Sequence, residues 1–242
     1  MNEVLQQLFR RKSVRAYRED PITPEEKRLI LEAACQAPTA GNQQLYTILD
    51  ITSQPLKEAL AITCDNQPFI AKAPLVLVFC ADCKKWYDAY QDVGCAPRAP
   101  GAGDLLLAVS DAVIAAQNAV VAAESLGIGS CYIGDIMERC QEQRRLLALP
   151  PFVFPAAMLV FGRPTRQQQE RPKPRRCPLE HIVHPNTYRS MDGAELRQML
   201  DHQRGQRPYE EWLAAFCQRK YQSDFSREMS RSVAEYLEQF RG

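Results

Sequence analysis

Apolar and polar positions along this 242-residue chain predict its elements before any composition is counted. Residues 2–10 place Val4, Leu5, Leu8 and Phe9 on one side of a short amphipathic helix. Thr23-Pro24-Glu25-Glu26 is a capping box with proline at the first helical position, which predicts a helix running to about Gln36. "APTAGNQQ" (37–44) breaks it. The run 45–51 (LYTILDI) reads as a strand, 55–64 as a helix, and the continuously apolar 73–80 (APLVLVFC) as a buried strand. Residues 94–103 (GCAPRAPGAG) read as a loop before a long helix, 104–126. Residues 127–135 (GIGSCYIGD) form a glycine-rich turn into a short strand. A helix follows over 136–148, stopped by Pro150-Pro151, and then another buried strand at 155–162. The polar stretch 163–178 reads as a loop. Beyond Pro185 the pattern turns helical and charged, with helices predicted at 192–204, 208–221 and 225–240. Strands alternating irregularly with longer helices make an α+β chain.

The long helix needs a membrane check, because 105–123 is mostly apolar. Asp104, Asp111, Asn118 and Ser125 recur every seven residues and draw one polar line along it. A membrane span rarely carries such a line. A helix buried nearly all round in a soluble core fits better. The last 55 or so residues hold too little apolar content for a core of their own, so the sequence predicts that they pack on something else, such as a second subunit.

Composition narrows the classes. The chain is 45% hydrophobic and 24% charged with a formal charge of +1, ordinary for a globular protein and unlike a dedicated nucleic-acid binder. Nine cysteines are irregularly spaced, and MNEVLQQLFRRK offers no apolar leader. A reducing cytoplasm with free thiols is therefore expected. Cys80 and Cys83 form a single C-x-x-C, read as small buried side chains. His181, His184 and His202 have no metal-ligand spacing, so no metal is expected.

One stretch departs from this even background. RRKSVRAYRED (10–20) packs Arg10, Arg11, Lys12, Arg15 and Arg18 around Ser13. In an extended segment Arg11, Ser13 and Arg15 share a face over about 13 Å. Two cationic forks flanking a hydroxyl suit a phosphate, whose charge is about −1.5 to −2 at neutral pH. A second cationic loop at 171–176 can supply the remaining donors if folding brings it close. A solvated surface face and a nucleic-acid patch are the competing readings of the stretch alone.

The order and spacing of further motifs change those odds. "RRKSVRAYREDPITPEEKRLILEAACQAPTAGNQQ", "NQPFIAKAPLVLVFCAD", "ESLGIGSCYIGDI" and "FGRP…RPKPRRCPLEHIVH" resemble the nitroreductase family of FMN enzymes over nearly the whole chain. Within it they are most similar to the branch of major NADPH nitroreductases and NADPH–flavin oxidoreductases. The resemblance implies a nitroreductase-like α+β fold. A central, mostly antiparallel sheet is flanked by helices, and a helical C-terminal extension is built into an intertwined homodimer. The implied boundaries are 1–185 for the FMN-binding core and 186–242 for the extension.

The same resemblance implies the site. Arg11, Lys12, Ser13 and Arg15 match the flavin-phosphate motif, with Lys173 and Arg175 as its second arm. Gln67 matches the position that reads the flavin's pyrimidine edge. Pro38, Thr39, Gly41 and Asn42 match a loop that touches flavin from the partner subunit. Tyr132, Ile133 and Gly134 match the turn beside flavin N5. Arg204 and Arg207, with Arg197 nearby, are candidates for the 2′-phosphate of NADPH, because an arginine fork suits a phosphate. The implied activity passes hydride from NADPH, or NADH, to FMN and on to a nitroaromatic, quinone or flavin acceptor by a ping-pong mechanism. A dehalogenase, a flavin-fragmenting enzyme or a dehydrogenase of the same fold is the alternative. A non-enzymatic phosphate or nucleic-acid binder is the reading from another class.

Overall fold

The computed structural model describes residues 1–241. In chain order its elements are α1 (Glu3–Arg10), α2 (Pro24–Cys35), β1 (Tyr46–Asp50), α3 (Gln54–Thr63), α4 (Pro68–Ala71), β2 (Leu75–Asp82), α5 (Lys84–Asp92) and α6 (Ala102–Ser125). There follow β3 (Gly129–Ile133), α7 (Cys140–Leu147), β4 (Val153–Gly162), α8 (Arg166–Glu170), α9 (Gly193–Arg204), α10 (Tyr209–Tyr221) and α11 (Asp224–Leu237). Two compact units result: Met1–Arg171 together with the chain from Glu228 onward, and Pro172–Arg227.

The first unit is built on one antiparallel sheet of order β1-β2-β4-β3. Both of its faces are covered, so every residue of β2 and β4 is buried. On β2 the side chains alternate by the two-residue period of a strand. Leu75, Leu77, Phe79 and Ala81 face α2 and α6. Val76, Val78 and Cys80 face α3, α4 and α7. On β4 the period slips where the register shifts opposite Phe79 and Cys80. Phe154 and Ala156 share the α6 side with Leu159 and Phe161, which two-residue counting would separate. That is a β-bulge, which inserts one residue and re-aims the side chains beyond it.

Local signals explain the helices beside the sheet. Thr23 and Glu26 close the anticipated capping box on α2, with bonds of 3.2 and 2.9 Å. α6 meets the sheet through Ala108, Ala112, Ala115, Ala116, Ala119 and Ala123, small side chains that allow close approach. It is long and apolar enough to cross a membrane by length and composition, yet it forms the core of this unit. The expectation that it is buried nearly all round does not hold within one protomer. Leu106 is 68% and Leu107 52% exposed, and Val113 and Ile114 continue the same bare stripe.

The second unit holds α9 and α10, and Trp212 is its one buried side chain among the described residues. Tyr209 and Phe216 flank Trp212, with ring centroids 6.0 and 5.6 Å away. The thin apolar content read from the sequence has this physical outcome.

Candidate functional site

The cationic stretch is extended, and backbone contacts fix it to the sheet. The Val14 N–H donates to the Ser130 carbonyl at 2.9 Å, the Arg18 N–H to Arg163 at 2.9 Å, and the Thr165 N–H to Ala16 at 3.2 Å. Ser13 thereby pairs with Ser130 on the outer side of β3, and Tyr17 with Pro164. Two glycines make the approach possible. A Cβ at Gly129 would lie 2.4 Å from Val14 Cγ2, and one at Gly162 would lie 2.4 Å from Tyr17 Cδ1. Neither position admits any other residue without movement of the segment.

Among the described residues none of Arg11, Lys12 and Arg15 forms an ion pair, whereas Arg18 pairs with Asp20. Arg11 lies over the Tyr132 ring at 6.0 Å and reaches the Ser130 hydroxyl at 3.5 Å, while its buried Nε has no partner. Arg15 is exposed over the Phe69 ring at 5.8 Å. Lys12 donates to the carbonyls of Gln169 (2.7 Å) and Arg171. The Arg171 guanidinium donates to the Ser13 carbonyl at 2.8 Å, and the Arg15 N–H to Gln168 Oε1 at 3.2 Å. The α8 loop thus closes on the segment from one side, and a groove of roughly 860 Å³ with Arg15, Arg18 and Lys72 on its rim opens on the other.

The remaining candidates of this unit divide into two places. Gln67 caps α4 and donates both amide hydrogens inward, to Cys64 O at 2.9 Å and to Asp135 Oδ2 at 3.1 Å. Asp135 directly follows Gly134, where an added Cβ would meet nothing within 4 Å. Ile133 is buried beneath. Tyr132 donates to Gln117 Oε1 on α6 at 3.3 Å; burial pushes its phenol up to about 12, with Arg11 pulling the other way. Arg11, Ser13, Tyr132, Gly134, Gln67 and Arg15 therefore follow one another around the β3 end of the sheet.

The Pro38–Asn42 loop stands elsewhere, before β1 at the opposite sheet edge. Gly41 and Asn42 both take φ of +57°, a left-handed turn that glycine and asparagine tolerate. Its anchor is Asp111 of α6, 3% exposed. This carboxylate accepts from the Thr39 hydroxyl, from the Ala40 N–H at 3.2 Å and from the Leu45 N–H at 3.2 Å. Asp111 and Gln117 lie six positions apart, about 9 Å along α6. Within one protomer the loop and the Tyr132 side are spaced by that length of helix.

In the second unit Arg175 is exposed and lines a hollow with Arg176, Ile182 and His202. Lys173 is partly buried. Arg204 is engaged locally, donating to Asp201 at 2.5 Å and to the Arg207 carbonyl at 3.0 Å. Arg207 Nε reaches the Arg204 carbonyl at 3.3 Å. Arg197 pairs with Glu210 at 2.5 Å over the Tyr209 ring. Cys80 and Cys83 are buried, and burial pushes both thiols up to about 12, the state of inert core cysteines.

Sequence reasoning missed Asp111 as the loop anchor, Gly129 and Gly162 as the seats of the cationic segment, and Asp135 beside Gln67. Asp111 did carry a signal, as a carboxylate on an apolar helix. The other three carry none that is separable from ordinary turns.

The family model described as "Nitroreductase family" matches residues 8–163. This chain belongs to the nitroreductase family. The matched span takes in the cationic segment, the Pro38–Asn42 loop, Gln67 and the β3 turn. A nitroreductase relative over nearly full length is the FMN reductase [NAD(P)H] of Bacillus subtilis, 32% identical and covering 98% of this chain and 92% of its own. The oxygen-insensitive NADPH nitroreductase of Salmonella typhimurium is 33% identical over 79% of this chain and 77% of its own. Among solved nitroreductase-like structures, NfrA2 of B. megaterium superposes with a TM-score of 0.84 at 27% identity, over 100% of this chain and 99% of its own. The nitroreductase-like α+β fold read from the sequence is therefore the fold of this chain.

Proposed function

We propose that this chain is an FMN-dependent NAD(P)H oxidoreductase acting on nitroaromatic, quinone or flavin acceptors. The observation that carries the reading is the set Arg11, Lys12 and Arg15. These three cations within five residues lack carboxylate partners among the described residues, beside a turn where Gly134 leaves open space. Two of the relatives, an FMN reductase and an NADPH nitroreductase, support the same reading by name.

The residues present fit the flavin. The unpaired Arg11 Nε and the Arg15 guanidinium supply donors for a phosphate, and the Ser13 hydroxyl, which makes no hydrogen bond among the described residues, supplies another. Lys12 has two of its three N–H donors on carbonyls and keeps the third. Lys173 and Arg175 are proposed as the second phosphate arm. Gln67 faces the pyrimidine edge, and Tyr132, Ile133 and Gly134 border the ring. Bound FMN supplies the hydride chemistry, while the protein positions it and tunes it. The neutral Tyr132 phenol and the buried Ile133 keep water from one side of the turn.

The bare α6 stripe of Leu106, Leu107, Val113 and Ile114 supports a homodimer, since contiguous exposed apolar surface marks an interface. In that dimer Pro38, Thr39, Gly41 and Asn42 meet the partner's flavin, and 186–242 forms the extension beyond a 1–185 core. NADPH is the preferred donor, with Arg204 and Arg207 turned from their local partners to its 2′-phosphate. The chain works in the cytoplasm. Arg15→Ala combined with Arg175→Ala should give largely flavin-free protein. Full flavin occupancy in that double variant after dialysis would refute the reading.

A further inference from the structure

Three residues beyond Asp135, which accepts from Gln67, lies a buried acid with no assigned task. Glu138 closes the turn Gly134–Met137, with its N–H on the Asp135 carbonyl at 3.0 Å. The side chain is 5% exposed and its buried Oε1 has no hydrogen-bond partner. Three other acids face it from three elements: Asp135 on the turn, Asp65 after α3, and Glu228 on α11. Arg139 opposes them. The Cys64 thiol stands beside both Asp135 and Glu138. Glu228 already accepts from Arg231, from the Ser232 hydroxyl and from the Arg139 N–H, which pull it down to about 2. It stays charged, and Glu138 bears the repulsion. Burial first, then Asp135, Asp65 and Glu228, push the Glu138 carboxyl up to about 7.

The Gln67 amide has a direction because of these groups. Its NH2 points at two acceptors, the Cys64 carbonyl and the Asp135 carboxylate. Reversing the amide would set its oxygen against both of them. With both amide hydrogens used inward, the outward atom is Oε1, which only accepts. Asp135 enforces this as long as it remains beside Gln67, and a charged Glu138 would push it away.

Resting on the flavin reading above, we propose that Asp135 and the buried carboxyl of Glu138 are positioning residues. They hold the Gln67 carbonyl outward, so that it accepts a hydrogen bond from the imide N–H of the flavin ring.

The test titrates the full chain, stripped of flavin, with FMN and with FMN methylated at the imide nitrogen, following flavin fluorescence. The unmodified protein should bind the methylated flavin about tenfold more weakly, the scale of one lost hydrogen bond. Gln67→Ala should bind the two flavins alike. Asp135→Asn should reduce the discrimination, because an asparagine amide can meet either orientation of Gln67 and only the Cys64 carbonyl then opposes reversal. Glu138→Gln should keep it. The ratio of FMN dissociation constants, unmodified protein over Glu138→Gln, should rise several-fold between roughly pH 6 and roughly pH 8.5, as Glu138 ionises. The phosphate's own ionisation cancels in that ratio. Equal affinity for both flavins in the unmodified protein, or a flat ratio with pH, overturns the proposal while leaving the flavin reading intact. Absence of binding by either flavin overturns both.

Discussion

Two segments of the candidate site are held in opposite ways. The cationic stretch is fixed by its backbone, through bonds from Val14 and Arg18 and through glycines that let Val14 and Tyr17 come close. Its Arg11 and Arg15 side chains form no ion pair among the described residues and are left for a ligand. The Pro38–Asn42 loop is fixed by one side chain, the buried Asp111, which gathers the Thr39 hydroxyl and two backbone N–H groups. The first device distributes the holding over many weak contacts and spares the cations. The second concentrates it on a single carboxylate that no cation balances among the described residues. Loss of the anchor should therefore be costly for the loop, and loss of any one cation cheap for the fold.

The largest effect is expected from Asp111→Ala. Three donors lose their acceptor at once, and each unsatisfied group costs about 1–3 kcal/mol. A fall of roughly 3–5 kcal/mol in unfolding free energy by urea denaturation is expected; a loss under about 1 kcal/mol would show that the loop has other support. Gly162→Ala comes next, because its Cβ meets the Tyr17 ring and Pro74. Overpacking of this kind costs about 1–3 kcal/mol, and here it should also displace Arg15 and weaken FMN binding. An unchanged melting temperature together with unchanged flavin affinity would show that the segment's seat is soft.

Arg11→Ala with Arg15→Ala sharpens the contrast from the other side. FMN affinity should fall about 100-fold or more, since each charge-assisted bond contributes about 1.5–3 kcal/mol. The flavin-free melting temperature should stay put, and a drop of many degrees would mean that the cations hold the fold. The smallest effect is expected at Glu138. Its carboxyl is raised to about 7 in the folded chain, above its value in the unfolded chain. Its contribution to stability is therefore fully present below the unfolded value and is lost as pH rises through about 7. Glu138→Gln should melt higher than the unmodified protein above pH 7 and gain little near pH 5. An equal gain at both pH values would assign the effect to packing.

The legibility of these parts in the sequence depends on where their causes lie. The strand β2 was readable because a sheet covered on both faces demands an unbroken apolar run. The capped start of α2 was readable because its signal is local. α5 was not, since KKWYDAYQD has only the aromatic rings of Trp86, Tyr87 and Tyr90 among polar residues and none of its nine residues is fully buried. The β4 bulge was not, because strand periodicity assumes that no residue is inserted. At the site the cations announced themselves by density, and Asp111 by standing on an apolar helix. Their supports were silent. Gly129 and Gly162 acquire their roles only when a segment more than a hundred residues away crosses them, and Asp135 only when the chain folds Gln67 beside it.

The pairing of Ser13 with Ser130 has a consequence for the molecule in a crowd. β3 is an outer strand of the sheet, and a bare outer strand is a template on which other chains stack. Here that border is occupied by a stretch that is extended, held by its own main chain and fringed with positive charge. The stretch proposed to hold a phosphate thus also serves as a guard rail against edge-to-edge association. A chain shortened past Arg18 should begin to aggregate while its helices and strands remain measurable.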